Sequence, residues 1–592
     1  MIKWSTVRRH TKAELLLAVA LLADQAASGA GTLPIPATGV YLGIWANPAL
    51  APNQESAIEV REGPAANGIG RPFALHLHYY AWSDLSQELD SAGVFQPDQQ
   101  LQGDISHGRV PVISWVCDGK IANSNHVIAA GASNEDAVIT ATAKALAQYP
   151  GPVLLRWFWE FNVLNNSQSC RGDTGGKPTQ PVFNDFIGAW QHIWHLFQSA
   201  GATNVVFLWN PGHYNTDGDA DDPHGFYPGN NYVDWIGLDT YQRTTTANFD
   251  DDFGLFYSDF GGNQYGNKPL MVGENGSQGF AQNNSELQWS YLQRLLSDVQ
   301  ANRYPLLKAY DYFDSPGNGN WVLDNNNGQG NGGLAAFATL AASKLFSPTA
   351  VTLVANAEGE NPAIAPNTWL EIKGVNLAPV GFSSPACAPG YCWQPSDFVN
   401  NIMPTQLNGV SATVNGKSAF VYYIRPSQID ILTPPDAMTG TVQVIVSNNG
   451  IVSSGFAAQA QALSPSFFVF NGGPYVAATH AGGALIGPAT LFPQLTTPAK
   501  PSETIVLYAN GFGPTSMPAI SGSILQSGSL SPLPVVKIGG VNATVQFAGL
   551  VAPGEFQFNV VVPSSLANGD QSITATYTGQ TTQAGTLVTI QQ

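Results

Sequence analysis

Charge is scarce in this chain. Only 11% of its 592 residues are Asp, Glu, Lys or Arg, against about 25% in an ordinary soluble domain. Basic charge is scarcer still: 23 Lys and Arg stand against 41 Asp and Glu, a formal net charge of −18. Such a chain repels phosphate backbones, so no nucleic-acid partner is expected. Four cysteines are too few to build a disulfide scaffold and do not demand a metal cluster. Beyond the N-terminal segment no uninterrupted apolar run reaches about 18 residues, so no membrane span is expected. No glycine-rich phosphate turn follows the first strand-like run, which removes the main mark of a dinucleotide-binding sheet. What is present is apolar and turn-rich. Hydrophobic residues make up 44%, with 61 Gly and 41 Pro in no collagen-like period, so neither disorder nor a fibre is expected. The length suits several domains of about 150 residues, or one large barrel with additions.

The first 30 residues have the order of a secretory signal peptide. Lys3, Arg8, Arg9, His10 and Lys12 form a basic head, Leu15 to Ala23 an apolar run, and Ala26, Ala27, Ser28, Gly29 and Ala30 a small-residue stretch where cleavage is expected. An amphipathic first helix is the alternative, and Glu14 sits awkwardly beside the apolar run. The leader implies a secreted, extracellular protein.

The chain changes character near residue 348. Before it stand eight strand-like runs: Gly43–Trp45, Phe73–Tyr79, Val110–Val116, Val153–Trp159, Val205–Asn210, Val233–Asp239, Pro269–Glu274 and Leu307–Phe313. Buried parallel strands read as such near-continuous apolar runs. Helical stretches lie between several of them, at Asn134–Gln148, Val182–Ala200 and Ser285–Asn302, with proline and glycine at their ends. Eight strand–helix repeats over about 300 residues predict a (β/α)8 TIM barrel over 31–347. After residue 348 helical patterns vanish. Asn408-Gly-Val-Ser-Ala-Thr-Val-Asn415 recurs as Gly539-Gly-Val-Asn-Ala-Thr-Val-Gln546, and Thr368 to Leu377 echoes Thr504 to Gly513. Each unit of this duplication holds roughly 110–130 residues of short alternating strands, which suits an immunoglobulin-like β-sandwich of about 100 residues. Two are predicted, at 351–465 and 466–592. They resemble the tandem sandwiches appended to secreted proteins of soil bacteria.

Four segments of the first half carry the chemistry. Arg156-Trp-Phe-Trp-Glu160-Phe-Asn162 ends the fourth strand. Tyr227-Pro-Gly-Asn-Asn-Tyr-Val-Asp-Trp-Ile-Gly-Leu-Asp-Thr-Tyr241 introduces and fills the sixth. Lys268-Pro-Leu-Met-Val-Gly-Glu274 is the seventh, and Tyr310-Asp-Tyr-Phe-Asp314 leads from the eighth toward Trp321. In a (β/α)8 barrel the functional groups sit at the C-terminal ends of strands. Glu160 and Glu274 each end an apolar strand, and two carboxylates across a sugar-sized cleft are what glycoside hydrolysis requires. Glu160, between Trp159 and Phe161, is the candidate acid; Glu274, within reach of Tyr241, the candidate nucleophile. For each glutamate alone, a salt bridge at the barrel mouth is the alternative.

These segments resemble glycoside hydrolase family 26, over about Gly39 to Phe346 and with every motif in order. The YPG-x-x-YVDW-x-GLD-x-Y stretch is the most specific; KP-x-x-x-x-E and RW-x-x-E-x-N match the nucleophile and acid/base strands. The resemblance implies Glu160 as acid/base, Glu274 as nucleophile, Tyr241 as the nucleophile's partner and Trp321 as a sugar platform. The family usually places His directly before the acid/base glutamate, where this chain has Trp159. It implies a retaining endo-glycanase whose partner is a plant-type β-linked polysaccharide, β-1,4-mannan first, with mixed-linkage β-glucan or β-1,3-xylan as alternatives. A non-catalytic saccharide-binding surface protein is the rival from another class. No cofactor and no metal are implied.

Further candidates for substrate binding are Asn162 and the tryptophans Trp82, Trp159 and Trp209, since indole faces stack on sugars; barrel core is the alternative for each Trp. His76, His78 and Tyr80 share one side of the second strand. His78 is a candidate contact, with a hydrogen-bonded core histidine as its alternative. His192 and His195 fall within a helical pattern and read as structural. Asp217–Asp222 alternates carboxylates but lacks the calcium-loop spacing, and reads as a solvated acidic loop. Cys117 with Cys170, on neighbouring mouth loops, and Cys387 with Cys392 are disulfide candidates in an oxidising compartment. The sandwiches carry only Trp369 and Trp393, which favours a spacer or a cell-surface contact over a sugar site.

Overall fold

In the computed structural model eight strands close into a barrel in chain order: β1 (Tyr41–Trp45), β2 (Leu75–Tyr80), β3 (Val110–Trp115), β4 (Val153–Trp157), β5 (Val205–Trp209), β6 (Trp235–Tyr241), β7 (Leu270–Gly276) and β8 (Leu307–Phe313). Every neighbouring pair is parallel, including β1 with β8, which closes the ring. The structure describes residues 33–592 except 65, 120–122, 164–167, 172–176, 215–221, 243, 245, 278–284, 317–320, 324–331 and 360. The leader and most of the acidic loop, all but Asp222, lie outside the described residues. These fall into two compact units, one reaching Thr352 and the other beginning at Leu353.

The helices that sheathe the barrel are α1 (Gln54–Glu62), α2 (Gln99–His107), α3 (Ser133–Ala147), α4 (Gln180–Ser199), α5 (Phe249–Phe260), α6 (Ser285–Gln300) and α7 (Gly333–Ala342). Their starts are written locally. Asn53, Asp98 and Asn248 cap α1, α2 and α5 by accepting from backbone N–H groups of the first turn, and α4 has its proline there. Two features depart from the sequence reading. Between β5 and β6 the described residues hold only the 3-10 turn His224–Phe226, so that repeat has no sheathing α-helix among them. And β4 stops at Trp157, two residues early. Phe158 and Glu160 both take left-handed φ, 45° and 53°, a conformation a strand does not permit. The Cys117–Cys170 disulfide ties the segment after β3 to the one after β4.

The second unit is antiparallel in the main. A seven-stranded sheet containing Val410–Val414, Gly440–Asn448 and Phe456–Ala460 stands beside a five-stranded sheet containing Trp369–Val375, Phe420–Arg425 and Gln428–Leu432. A twelve-stranded sheet follows, built on Thr504–Asn510, Val541–Ala552, Glu555–Val561 and Gly569–Tyr577. Burial alternates along Val410–Val414 and Gly440–Asn448, as in sheets with one face inward. The duplicated motif is a hairpin: Asn408-Gly409 and Gly539-Gly540 all have positive φ and turn the chain into Val410–Val414 and Val541–Ala552. The two halves of the repeat share one aromatic core. Trp369, Phe420 and Tyr422 cluster with Phe468, Phe470 and Ala477, Trp369 Nε1 donates to the carbonyl of Pro553, and Asn356 donates to Ser464 and Asn510. Cys387 and Cys392 are bonded to each other. No helix among the described residues is long and apolar enough to cross a membrane.

Candidate active site

Glu274, near the end of β7 and 5% exposed, is the focus of three donors. Arg156 Nη2 at 2.5 Å and the Tyr79 hydroxyl at 2.8 Å donate to its Oε1, and the Tyr241 hydroxyl at 2.5 Å donates to its Oε2. All three of these partners donate, so toward them the carboxylate is the acceptor. Arg156 serves further acceptors as well. It enters the barrel from β4, donates through Nε to Ser114 and through Nη1 to both oxygens of Asp239 at 2.9 Å. Burial opposes its charge, but Asp239 and Glu274 more than offset this and raise its pKa above the usual arginine value. Burial moves Asp239 the other way, well above the normal carboxylate range, against the pull of Arg156 and with repulsion from Glu274 and Glu160 adding to it.

Room for this polar layer comes from glycines on the inner face. A Cβ on Gly273 would lie 2.2 Å from Asn210 Oδ1 and 2.6 Å from Asp239 Oδ1; one on Gly237 would lie 2.1 Å from Asn210 Oδ1.

Glu160 stands at the end of the left-handed turn after β4, its N–H donating to the carbonyl of Asn210. Oxygens of Glu160, Asp239 and Glu274 all lie within 4.8 Å of one another. Three carboxylates so close could hold a cation, but Arg156 already supplies positive charge to two of them. His76, His78 and Asp104 are as close together, with Arg109 donating to Asp104.

An aromatic rim surrounds the glutamates. Tyr79 meets Trp45 edge-on at 4.9 Å and Trp159 at 5.2 Å. Trp159 also lies 5.6 Å from the Arg156 guanidinium. Trp321 stacks on Tyr241 at 5.0 Å, and Phe313 stands edge-on to both Tyr79 and Tyr241. Trp45, Trp159, Phe313 and Trp321 are partly exposed, which leaves ring area for a ligand.

Glu160, Glu274, Tyr241, Trp159 and Trp321 thus come together, and four other sequence candidates do not. His78 is corrected: its Nε2 lies 2.6 Å from Asp104 Oδ2 on α2, with His76 on the other oxygen at 2.8 Å, so it is a hydrogen-bonded histidine between sheet and helix. Burial there lowers the His76 pKa to about 4, although Asp104 works the other way. Trp209 is buried against Phe161, Tyr227 and Phe260 and is core. Trp82 lies flat on Trp115, 5.0 Å away, with Trp157 at its edge, so its face is spent. Asn162 is fully buried, donating to the carbonyl of Gly212 at 2.6 Å and accepting from the Gly212 N–H at 2.9 Å. It fastens a loop and has no face for substrate.

Sequence reasoning missed Tyr79, Arg156 and Asp239. An arginine inside an apolar strand was the available signal, since a fully buried guanidinium must have carboxylate partners.

Residues 138–278 match the family described as Glycosyl hydrolase family 26. Arg156, Glu160, Asp239, Tyr241 and Glu274 all fall within the matched family 26 stretch. A 151-residue stretch is 30% identical to Endoglucanase H of Acetivibrio thermocellus, over 24% of this chain and 15% of that protein. The chain therefore spans only a small part of that relative. Among solved structures, a family 26 β-mannanase from Bacteroides ovatus aligns with 56% of this chain and 93% of its own at 14% identity and a TM-score of 0.37. A modular endo-β-1,4-mannanase from Cellulomonas fimi aligns with 76% and 97% at 12% identity and a TM-score of 0.37.

Proposed function

We propose that the barrel is a retaining endo-β-glycanase, with Glu274 as nucleophile and Glu160 as acid/base. The approach of their carboxylate oxygens to within 4.8 Å carries the reading. Retaining enzymes hold the two carboxyl groups about 5–5.5 Å apart, whereas inverting ones leave about 6.5–9.5 Å for a water between them. In the first step Glu160 gives its proton to the glycosidic oxygen, the bond from that oxygen to the anomeric carbon breaks, and a Glu274 oxygen bonds to the same carbon. In the second, Glu160 takes a proton from water, the water oxygen bonds to the anomeric carbon, and Glu274 leaves as a carboxylate. Arg156, Tyr79 and Tyr241 hold Glu274 as an acceptor throughout, and the rim of Trp45, Trp159, Phe313 and Trp321 offers faces for sugar rings.

We infer β-1,4-mannan as substrate from the resemblance of the sequence motifs to glycoside hydrolase family 26. The match to Endoglucanase H favours β-glucan as a second reading. Secretion is part of the proposal: the leader-like order of the first 30 residues and the two disulfides support it. The test is reducing-sugar release from mannan, lichenan, xylan and cellulose, with the anomer of the first product read by NMR. A β-anomer from one of these polymers is expected; an α-anomer first, or no release from any, overturns the proposal.

A further inference from the structure

Asp311 lies in the middle of β8 with both carboxylate oxygens fully buried and without a hydrogen-bond partner among the described residues. Buried polar groups are otherwise paired in native proteins, so a carboxyl in this condition calls for a reason. The barrel is built to receive it. Gly43 on β1 is its register partner, and a Cβ there would lie only 1.6 Å from Asp311 Oδ1. The carboxyl thus fills the place of a missing β1 side chain, bounded on the next strand by Leu75. It lies two residues below Phe313, which touches the rings of Tyr79 and Tyr241, the two phenols that hold Glu274.

We propose that Asp311 is a positioning residue: a carboxylic acid kept neutral inside the barrel, so that Arg156 stays committed to Glu274 and Asp239. The inference rests on the reading of Glu274 as nucleophile. Charge bookkeeping inside the barrel motivates it. Arg156 is the cation of this layer among the described residues, and it already donates to Ser114, both oxygens of Asp239 and Glu274. An ionised Asp311 would be a further anion in a low-dielectric interior, competing for the same guanidinium and repelling the nucleophile. The charged groups that act on Asp311 are Arg156 from β4 and Glu274 from β7; its neighbour Tyr310 adds a phenol, and Gly43 of β1 and Leu75 of β2 lie beside the carboxyl without charge. Burial and Glu274 push the Asp311 pKa well above the carboxylate range, and the attraction of Arg156 does not reverse this.

The structure therefore assigns the resting enzyme a buried proton whose loss at alkaline pH weakens the site. The experiment follows kcat/KM against pH for the full chain and for Asp311→Asn, using dinitrophenyl β-mannobioside or β-cellobioside, whichever the polysaccharide screen selects. This leaving group departs without a proton, so an alkaline fall does not report Glu160. The ratio of kcat/KM at about pH 9 to that at about pH 6 is expected to be at least about fivefold higher in Asp311→Asn than in the wild type. The infrared spectrum of the wild type near neutral pH should also contain a protonated-carboxyl stretch that Asp311→Asn lacks. Asp311→Ser, equally uncharged, serves for both measurements if the Asn variant does not fold. Equal ratios, or no difference in the carboxyl band, overturn the proposal. Turnover by Glu274→Ala would instead overturn the nucleophile assignment, whatever the Asp311 variants do.

Discussion

Gly212 lies against the side chain of Glu160: a Cβ on Gly212 would come within 2.6 Å of Glu160 Cγ and 2.9 Å of its Cβ. Asn162 holds that glycine by both its backbone N–H and its carbonyl. The loop after β5 is thereby pinned under the acid/base candidate, and Asn162 acts through Gly212.

Gly212→Ala is therefore expected to push Glu160 off its place without disturbing the core. A displacement near 1 Å at a reacting group costs up to about 100-fold in rate. The variant should lose roughly 10–100-fold in kcat on polysaccharide while its melting temperature stays within a few degrees of wild type. Activity within a factor of about two would mean that Glu160 has slack in this direction.

Arg156 serves Ser114, Asp239 and Glu274 at once, which no lysine ammonium can copy from a single point. Arg156→Lys should keep the positive charge and lose the geometry, with kcat falling by about 100-fold or more. Arg156→Met removes the charge as well and leaves buried carboxylates uncompensated, a loss of about 3–5 kcal/mol in stability. Thermal unfolding of the two variants separates these effects. A Met variant as stable as the Lys variant would show that protons, not Arg156, balance the layer.

The second unit should be stabilised by acid. Burial raises the pKa of Asp430 from 3.8 to about 7 and that of Glu555 from 4.5 to about 7. The folded state then binds the proton more tightly than the unfolded chain. This contribution is complete below the unfolded pKa values near 4 and is lost as pH rises through about 7. Each group is worth a few kcal/mol across that window, by the conversion of about 1.4 kcal/mol per pKa unit. The unfolding transition of this unit, followed in the full chain, should move to higher temperature between about pH 8 and pH 5. In Asp430→Asn/Glu555→Gln the movement should shrink. An unchanged pH dependence in the double variant would place the linkage elsewhere.

How far the site could be read in the sequence follows from what periodicity encodes. Buried parallel strands announce themselves by apolar content, so the eight runs that became β1–β8 were legible, and so were the two glutamates, one near the end of β7 and one just past β4. Alternation along β2 divides His76, His78 and Tyr80 from Leu77 and Tyr79, but it does not say which set faces inward. That is decided by Asp104 on α2, which takes both histidines and leaves Tyr79 to Glu274. Tryptophans at strand ends gave the same ambiguity: Trp159 and Trp321 reach the rim, while Trp209 turns its ring into the core. The early end of β4 was illegible because Phe158 and Glu160 adopt a backbone that neither residue favours. In the second unit the repeat located both hairpins, but the aromatic core shared by Trp369, Tyr422 and Phe468 rests on contacts between halves, and no local pattern reports those.

The two glutamates should fail differently if the mechanism is double displacement. Glu274→Ala removes the nucleophile, so no glycosyl-enzyme forms and both steps stop. Glu160→Ala removes the proton donor and the later base but leaves Glu274 in the grip of Arg156, Tyr79 and Tyr241. An aryl glycoside with an activated leaving group needs little protonation, so its first step should survive in Glu160→Ala and its second should become rate-limiting. The glycosyl-enzyme should then accumulate and be visible by intact-protein mass spectrometry. Azide needs no base. Added to Glu160→Ala it should restore turnover and give the β-glycosyl azide, because it enters the face opposite Glu274. In Glu274→Ala azide enters from the vacated side and gives the α-glycosyl azide. Product stereochemistry by NMR distinguishes the two. Near wild-type hydrolysis of the polysaccharide by either variant would remove that residue from its assigned role, and the same azide anomer from both would remove the distinction between them on which the mechanism depends.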